Sequence, residues 1–444
     1  MGGHLVIYPN SQQRKHAVNG FGVLENLNIP GLIIDAKSNQ VDVMGLQATL
    51  YMNGQECDIR EIQMLRPRDI EKIEYHDAPS GKYAKDKLVV NFITKQYRYG
   101  GYVQADGLQT IGYDHGDYNV ATNYVKGNNS YTVFAGANYS HVDGTETWNN
   151  ENYLFPQSLF DRESYCKNSY RNHQEYMQFR YQNQKGKRYW VGKFTLVNLS
   201  TPRNASSGFA RESTETDIFS NIRKKSLSPK IDLNANLPLS KNQTLTLGVH
   251  GKYSANSYHR LYQEQPFEAM TDEDEKALSF QLSAIYNYFS QKHSLSVELF
   301  HYHDVWNADY SGNCELWQHL WKGESLAFFS YNFQAIRRLS LKTRIGLDWL
   351  QYHLHGDNSF SQLSPRINTN VQYQLNKGML LWSFNFVNSN HGMDVINRAM
   401  IQVNSHMMEK GMPEQKKSHD INTYLYYMGR FNRLSVSAIG QFRY

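Results

Sequence analysis

The sequence predicts a mainly β protein: an antiparallel transmembrane β-barrel, incomplete at roughly fifteen strands, preceded by a small α/β domain. Beyond residue 100, apolar and polar side chains alternate in one segment after another. Short turns separate these segments at one end and long polar stretches at the other, an asymmetry typical of outer-membrane barrels. Residues 1–96 instead mix short helical and strand patterns. We therefore predict two domains, residues 1–96 and residues 97–444.

The first domain is predicted to contain one short helix and several short strands. The helix covers Val23–Leu27 and is stopped by the Pro-Gly pair that follows. The predicted strands are Leu32–Asp35, Gln40–Val43, Ala48–Met52, Ile73–Tyr75 and Leu88–Ile93. Asn53-Gly54 favours a tight turn because both residue types tolerate a positive φ. The last strand is apolar at nearly every position, so both of its faces are expected to be buried.

The second domain is predicted from a period of two in side-chain character. Ile345, Leu347 and Trp349 fall on one side of a strand, whereas Arg344 and Asp348 fall on the other. A soluble β-sandwich also alternates, but it buries its apolar side in a core of limited width. Many long strands in one meander fit a closed barrel better, with apolar sides toward lipid and polar sides around a lumen.

The connections between strands support the barrel. Short turns are predicted at residues 126–129, 185–187, 239–243 and 376–378. Long polar connections are predicted at residues 143–172, 201–225, 257–276 and 354–362. The strands between them are about 10–14 residues long, which crosses a bilayer when the strand is tilted.

Composition narrows the functional classes. The 444 residues include 32 Tyr, a side chain with an apolar body and a polar tip that suits membrane–water boundaries. A net charge of +5 with no basic stripe argues against nucleic acid as a partner. No uncharged apolar run approaches the ~18 residues of a spanning helix. The first residues lack a signal peptide, so the chain either stays inside the cell or is a fragment that begins upstream.

Catalytic and metal-binding patterns are weak throughout. The three cysteines match no zinc or redox spacing. His301 and His303 share a strand face, as metal ligands must, and Asp304 follows them, but they lack nearby cysteine or glutamate partners and are predicted to be solvated. No nucleophile elbow or phosphate-binding glycine loop is present. We therefore expect no enzyme activity, no cofactor and no metal site.

Residues 53–95 carry short motifs at a defined spacing: an Asn-Gly turn, a strand with an Ile-Glu pair, a Pro-Ser-Gly turn and a strand ending in Ile-Thr-Lys. The defining positions are Asn53, Gly54, Pro79, Ser80, Gly81, Tyr83 and Asn91. This pattern resembles the end of the plug domain of TonB-dependent outer-membrane receptors, where the chain passes into the barrel wall. The resemblance implies that these residues shape the plug rather than contact a ligand.

A weaker match lies near the C-terminus. Residues 410–421 resemble a loop that precedes a late barrel strand in Bacteroidetes-type members of this group. Ala84 replaces a glycine of the plug pattern, and no TonB-contacting box is visible. Plugged barrels of this kind have about 22 strands, so the roughly fifteen strands predicted by the alternating pattern imply a truncated receptor.

The resemblance implies uptake of an unidentified ligand, such as a glycan, a peptide or a metal chelate, at the outer membrane of a Gram-negative cell. The implied partners are outer-membrane lipid, a TonB-type energy-transducing protein if the receptor is full length, and a surface lipoprotein. Ligand contacts are expected from aromatic residues in the long loops. These are Trp148, Tyr153, Phe155 and Phe160.

Two alternatives remain open at the level of sequence. The first is an outer-membrane barrel that serves adhesion or assembly and does not transport. The second is a soluble β-rich binding protein, which would press the same Leu, Val and Trp side chains together into a dry interior.

Overall fold

The computed structural model describes residues 5–444 apart from a set of short gaps. The gaps are residues 28, 30–31, 36–39, 44–45, 77–82, 84–85, 87, 96, 156–157, 291, 337, 358, 390–394, 414–415 and 432–433. The described chain forms a compact N-terminal domain, residues 5–95, and one large antiparallel sheet that begins at Tyr99. None of the helices in these described ranges is long and apolar enough to cross a membrane.

The N-terminal domain is built around a five-stranded sheet. Its strands are β1 (Leu5–Ile7), β5 (Thr49–Met52), β6 (Gln55–Glu56), β7 (Ile70–His76) and β8 (Val89–Thr94), in the order β1-β7-β8-β5-β6. β5 runs parallel to β8, and the other pairs are antiparallel. A second small sheet contains β2 (Leu32–Asp35), β3 (Gln40–Val43) and β4 (Leu46–Gln47). These strands confirm the α/β character predicted for this region.

Short capped helices complete the domain. They are α1 (Ser11–Lys15), α2 (Gly20–Asn26), α3 (Ile59–Gln63) and a 3-10 turn at Pro67–Asp69. The side chains of Asn10, Asn19 and Asp58 accept hydrogen bonds from the first turns of α1, α2 and α3, which satisfies backbone N–H groups that lack a helical partner. The helix predicted near Val23 therefore exists and begins three residues earlier.

The core of this domain lies between α2 and the five-stranded sheet. Val23 and Leu24 of α2 pack with Val90 and Phe92 of β8, and all four side chains are buried. Val89 and Asn91, on the opposite side of β8, are buried as well. The prediction that this strand is covered on both faces is confirmed.

The large sheet has fifteen strands in sequence order, each antiparallel to the next. They are β9 (Tyr99–Thr110), β10 (Asp114–Lys126), β11 (Asn129–Phe155), β12 (Ser158–Lys185), β13 (Arg188–Arg211), β14 (Glu215–Ser240), β15 (Gln243–Glu264), β16 (Phe267–Phe289), β17 (His293–Gly312), β18 (Leu316–Ile336), β19 (Leu339–Leu354), β20 (Phe360–Leu375), β21 (Gly378–Ser389), β24 (Ser418–Phe431) and β25 (Leu434–Arg443). β22 (Met400–Gln402) and β23 (Met408–Lys410) form a separate hairpin between β21 and β24. The predicted antiparallel sheet of roughly fifteen strands is confirmed.

The two faces of this sheet differ as predicted, with apolar side chains on one face and polar side chains on the other. On β19, the side chains of Ile345, Leu347 and Trp349 are 49%, 52% and 46% exposed. The intervening side chains of Arg344 and Asp348 are 5% and 0% exposed. Apolar groups therefore face outward and charged groups face inward, the reverse of a soluble sandwich.

The outward apolar side chains form a continuous band, which we call the apolar band. The register places Val297, Phe329, Ile345 and Ile367 side by side on four consecutive strands. Along β19, the outward face is apolar from Leu339 to Trp349 except at Thr343. These ten steps of about 3.3 Å span roughly 25 Å for a tilted strand. This height matches the hydrocarbon layer that a membrane barrel must cover.

Several strands are longer than predicted, and most of the predicted long loops do not exist. Residues 143–172, 201–225 and 257–276 belong to hairpins that continue β11–β16. Beyond the membrane both faces of a strand can be solvated, so these extensions are polar on both sides. They lack the period-two pattern by which strands are recognised in a sequence.

The wall is open in the part of the chain that the structure describes. β9 pairs only with β10, and β25 pairs only with β24. This arrangement leaves the outer backbone groups of both strands without a strand partner among the described residues.

Candidate functional site

The turn at Asn53 and Gly54 is held by side chains of β8. Its φ angles are +53° and +78°, the left-handed region that Asn and Gly accept most readily. The Asn53 amide donates to Thr94 Oγ1 at 2.9 Å, and the Thr94 N–H donates to Asn53 Oδ1 at 2.9 Å. Asn91 accepts from the Gly54 N–H and donates to Glu74, both at 2.9 Å. These bonds fit the predicted shaping role.

Replacing Asn91 by alanine tests this role. The Gly54 N–H and the Glu74 carboxylate lose a partner in a nearly dry site, so we expect a loss of about 1–3 kcal/mol in the free energy of unfolding. Urea titration of the detergent-solubilised protein measures the change. The exposed Asn149→Ala variant is the control and is expected to shift stability by less than about 0.5 kcal/mol. Equal effects at the two positions would remove the special role of Asn91.

Tyr83 is also buried and packed in a way that suits a structural role. Its ring is 5% exposed and packs edge-on against Tyr51, with ring centroids 4.6 Å apart. The Tyr51 hydroxyl donates to Asp86 at 2.7 Å, and burial together with the Asp86 carboxylate raises the pKa of Tyr51. Tyr51 therefore stays protonated and keeps donating. Pro79, Ser80 and Gly81 lie outside the described residues, so their predicted roles stay predictions.

Helix α3 carries the polar contact between the N-terminal domain and the wall. Arg60 donates to Asn119 Oδ1 at 3.1 Å and to Gln174 Oε1 at 3.2 Å, and its own side chain is buried. One residue beyond this helix, Met64 enters an apolar cluster of the wall that contains Ala121, Phe134 and Tyr176. The domain therefore sits against the concave face of strands β10–β12.

A buried ion-pair group lies beside this contact, and we call it the Lys193 group: Lys193, Glu61 and Asp232. The Lys193 ammonium is 3.7 Å from Glu61 of α3 and 3.6 Å from Asp232 of the wall. It also donates to the carbonyl of Glu56 at 2.7 Å. All three side chains are at most 6% exposed, and the Glu61 carboxylate accepts no hydrogen bond from the described residues. One lysine thus compensates carboxylates from both sides of the interface.

A narrow cleft separates the domain from the wall at the end that carries the short turns. Its volume is about 150 Å³, and its lining includes Asn53, Tyr102, Arg180 and Gln182. The Arg66 guanidinium lies over the Tyr102 ring, 3.5 Å from its centroid. Ligand pockets usually exceed about 300 Å³, so this cleft is small for a ligand site.

The opposite end of the concave face is occupied by residues 395–413, which we call the inner segment. Its β22–β23 hairpin lies across the long strands, and Arg260 donates to its backbone at the carbonyls of Gln402, at 2.8 Å, and Val403. Ile396 and Ala399 pack against a buried cluster of the wall. That cluster includes Trp306, Ala308, Leu320, Leu350 and Tyr352. The lumen is thus bounded by the N-terminal domain at one end and the inner segment at the other.

A second buried ionic group supports the inner segment, and we call it the Arg162 cluster: Arg162, Glu212, Tyr262 and Glu264. Arg162 Nη1 is 2.7 Å from Glu264 and 2.9 Å from Glu212, and its Nη2 donates to the Tyr262 hydroxyl at 3.1 Å. The Arg162 side chain is only 4% exposed. Both carboxylates lie at hairpin ends beyond the apolar band, so the cluster faces the outer mouth of the lumen.

The inner segment attaches to this cluster through two consecutive side chains. Ser405 donates to Glu264 at 2.8 Å, and His406 Nε2 lies 2.7 Å from Glu212. Burial alone raises the pKa of Glu264, but hydrogen bonds from Arg162 and Ser405 outweigh it and hold that pKa below its ordinary value. The ionised Glu264 is therefore the form that favours docking.

Acidification is expected to release the inner segment. Because the folded pKa of Glu264 is depressed, its stabilising effect is present above the ordinary value of 4.5 and is lost as the pH falls through the folded pKa. Hydrogen-exchange protection of residues 400–410, corrected for intrinsic rates, should fall below that pH. A Glu264→Gln variant should show weak protection with little dependence on pH over the same range. Equal protection in both proteins at every pH would contradict this reasoning.

The C-terminal side of the inner segment is fixed by a further buried lysine. Lys417 is paired with Asp348 and lies 3.2 Å from Glu324, and its side chain is fully buried. Arg366 is 3.2 Å from the other oxygen of Asp348. The wall therefore contacts the inner segment on its N-terminal side, at Ile396, and on its C-terminal side, at Lys417.

The predicted ligand-binding aromatic residues do not form one group, and they lie on strands rather than in loops. Tyr153 and Phe160 stack with ring centroids 5.2 Å apart, and His406 lies 5.4 Å and 5.0 Å from them. This pair therefore contacts the inner segment. Trp148 is 62% exposed on β11, and the side chain of Phe155 lies outside the described part of the structure. The loop assignment was wrong because residues 143–172 pair as one hairpin.

The three cysteines are free, and the described residues contain no group of three or more His, Cys, Asp or Glu side chains that could hold a metal ion.

Comparison with known proteins gives no match by sequence, either to a protein-family profile or to a curated protein. Solved structures do match. The copper transporter OprC aligns over 99% of this chain and 71% of its own, with a TM-score of 0.56 at 12% identity. The ferric yersiniabactin uptake receptor FyuA from Yersinia pestis and the ferric citrate transporter FecA align with TM-scores of 0.49 and 0.48, each at 12% identity. FyuA is covered over 78% of its chain and FecA over 74%, with 99% and 96% of this chain aligned.

The chain has the fold of a TonB-dependent outer-membrane receptor. The similarity to OprC carries this statement, and at 12% identity it concerns the fold alone. In this receptor fold the N-terminal domain is plug-like and the fifteen strands form the wall. The Lys193 group then connects plug and wall, and the inner segment covers the plug from the outer side.

The sequence patterns did not reveal the charged residues of this site. Arg60, Glu61, Lys193, Arg162 and Glu264 were not predicted. Lys193 did carry a signal, since it lies between the outward-facing Gly192 and Phe194 and so falls on the lumen face of its strand. A charged residue on that face was identifiable, but its partner on α3 was not.

Proposed function

We propose that the chain is a TonB-dependent receptor that binds a ligand at the outer mouth of its lumen and takes it up across the outer membrane of a Gram-negative cell. The observation that carries this proposal is the plug-like domain held against the polar concave face of a wall whose outer face is an apolar band. That arrangement suits a membrane channel closed by a plug.

The ligand remains one of the classes that the sequence suggested: a glycan, a peptide or a metal chelate. The structures that resemble this chain are those of proteins for copper, ferric yersiniabactin and ferric citrate, which favours the metal chelate among the three. Tyr153, Phe160 and the Arg162 cluster supply aromatic faces and charge at the outer mouth. Trp148 and Phe155 stay proposed contacts on the same hairpin.

The proposed partners follow from the same function. Movement of the plug requires a TonB-type energy-transducing protein on the periplasmic side, and the apolar band requires outer-membrane lipid. A surface lipoprotein at the outer mouth is a further proposed partner.

Additional strands are proposed to complete the wall between β25 and β9. Unpaired backbone groups in hydrocarbon cost several kcal/mol each, and the outer sides of β9 and β25 have no strand partner among the described residues. OprC is covered over 71% of its own chain, so part of that structure has no counterpart in this chain.

Uptake dependent on the energy transducer tests the function. Cells that express the chain are supplied with labelled ferric chelates, copper, oligosaccharides and peptides, in strains with and without a TonB-type protein. We expect accumulation of one class only when the chain and the transducer are both present, with the protein in the outer-membrane fraction. Recovery of the folded chain in the soluble fraction, or accumulation independent of the transducer, would contradict the proposal.

A further inference from the structure

Two histidines lie close together on the outer face of the wall, beyond the apolar band. His141 of β11 follows the outward-facing Tyr139 by two residues and therefore shares its face. His173 of β12 is the cross-strand partner of Tyr139, which places the two imidazoles diagonally across the strand pair. Asp114, at the start of β10, is directly opposite His141.

The contacts among these three side chains are specific. Nε2 of His141 is 3.3 Å from Nε2 of His173, and Nδ1 of His141 is 3.0 Å from Oδ2 of Asp114. The ionised Asp114 can only accept, so Nδ1 of His141 carries the proton. Nε2 of His141 therefore has its lone pair free and directed toward His173.

We propose that His141 and His173 bind one transition-metal ion through their Nε2 atoms, with Asp114 orienting His141 and water completing the coordination. Two nitrogens at about 2.0–2.1 Å from a tetrahedral ion lie about 3.3 Å apart, which is the separation observed. In metal sites the far ring nitrogen of a ligating histidine commonly donates to a carboxylate, which fixes the orientation of the ring. Imidazole ligands favour Zn²⁺, Cu²⁺ and Ni²⁺ over Mg²⁺ and Ca²⁺.

In the metal-free protein the Nε2 atoms of His141 and His173 form a hydrogen bond with each other. His173 donates from Nε2 to the lone pair of His141, and metal binding requires His173 to carry its proton on Nδ1 instead. Arg171 lies directly opposite His141 on the paired strand, and its guanidinium is 3.9 Å from Asp143. The His141 side chain is 29% exposed, so an ion can reach the site from solvent. The site lies outside the lumen and does not depend on the proposed transport.

Copper binding to the detergent-solubilised full chain, purified without a histidine tag, tests the site. We expect one Cu²⁺ per chain, with an electron paramagnetic resonance spectrum that shows two nitrogen ligands. His141→Gln and His173→Gln should each abolish that signal. Asp114→Asn should weaken binding by about 10-fold to 100-fold.

His259 provides the matched control. Its Nδ1 contacts the Asp272 carboxylate at 2.5 Å, and its cross-strand neighbours are Arg223 and Asp272 rather than a second histidine. His259→Gln should leave the copper signal unchanged. No stoichiometric binding to the wild-type chain, or a two-nitrogen signal that survives His141→Gln or His173→Gln, would overturn the proposal.

Discussion

Replacing Lys193 by methionine is expected to destabilise the folded chain by about 3–5 kcal/mol, because it removes the cation from a buried ion-pair group. Glu61 and Asp232 would both remain in a site that is at most 6% exposed. The Glu56 carbonyl would lose its donor as well. The unfolding midpoint in urea measures the loss, and protease cleavage within the plug-like domain shows whether the domain has detached from the wall.

Lys230 is the matched control for this substitution. Its ammonium lies 3.6 Å from the same Asp232, but its side chain is 34% exposed. Exposed ion pairs contribute about 0–1 kcal/mol, so Lys230→Met should change stability little. Neutralising the carboxylates with Glu61→Gln and Asp232→Asn should recover much of the stability lost in Lys193→Met. A loss below 1 kcal/mol for Lys193→Met would show that the group does not hold plug and wall together.

Replacing Leu347 by arginine is expected to destabilise the membrane-inserted protein by about 2–4 kcal/mol. Leu347 is 52% exposed in the apolar band, with Ala327 and Pro365 beside it on the neighbouring strands. A guanidinium there must leave water for hydrocarbon. Folding into lipid vesicles, followed by a urea titration, measures the cost.

The same substitution beyond the membrane provides the comparison. Leu154 is 82% exposed near the tip of the β11–β12 hairpin, far from the apolar band. Leu154→Arg should change stability by less than about 0.5 kcal/mol, as for an ordinary surface position. Similar small effects at Leu347 and Leu154 would show that the outer face of the wall meets water.

The part of the wall that lies in the membrane was predictable from local pattern. Alternation at Arg344, Ile345, Leu347, Asp348 and Trp349 identified both the strand and the direction of its faces, since lipid and lumen impose opposite side chains at successive positions. The hairpin extensions were not predictable in the same way. Beyond the band both faces carry polar residues, and the polar run at residues 143–172 looks like a loop.

The plug-like domain was predicted about as completely as the membrane part of the wall, but for a different reason. Asn53-Gly54 and the apolar β8 are local signals that specify a tight turn and a covered strand. The contacts that hold the inner segment were not predictable, because they join distant segments of the chain. His406 approaches Glu212, and Lys417 approaches Asp348, only when the chain crosses the lumen. Pattern within one strand contains no information on such partners.

The orientation of the wall is the claim on which the receptor function depends, and spin labels at neighbouring positions test it most directly. Single cysteines replace Phe329 and Leu363, which face outward, and Ser330 and Ser364, which face inward, after the three native cysteines are changed to serine. In lipid bilayers, labels at Phe329 and Leu363 should collide readily with dissolved oxygen and rarely with a water-soluble nickel complex. Labels at Ser330 and Ser364 should show no such preference for oxygen. The opposite alternation, or no alternation, would contradict an apolar band in lipid around a polar lumen.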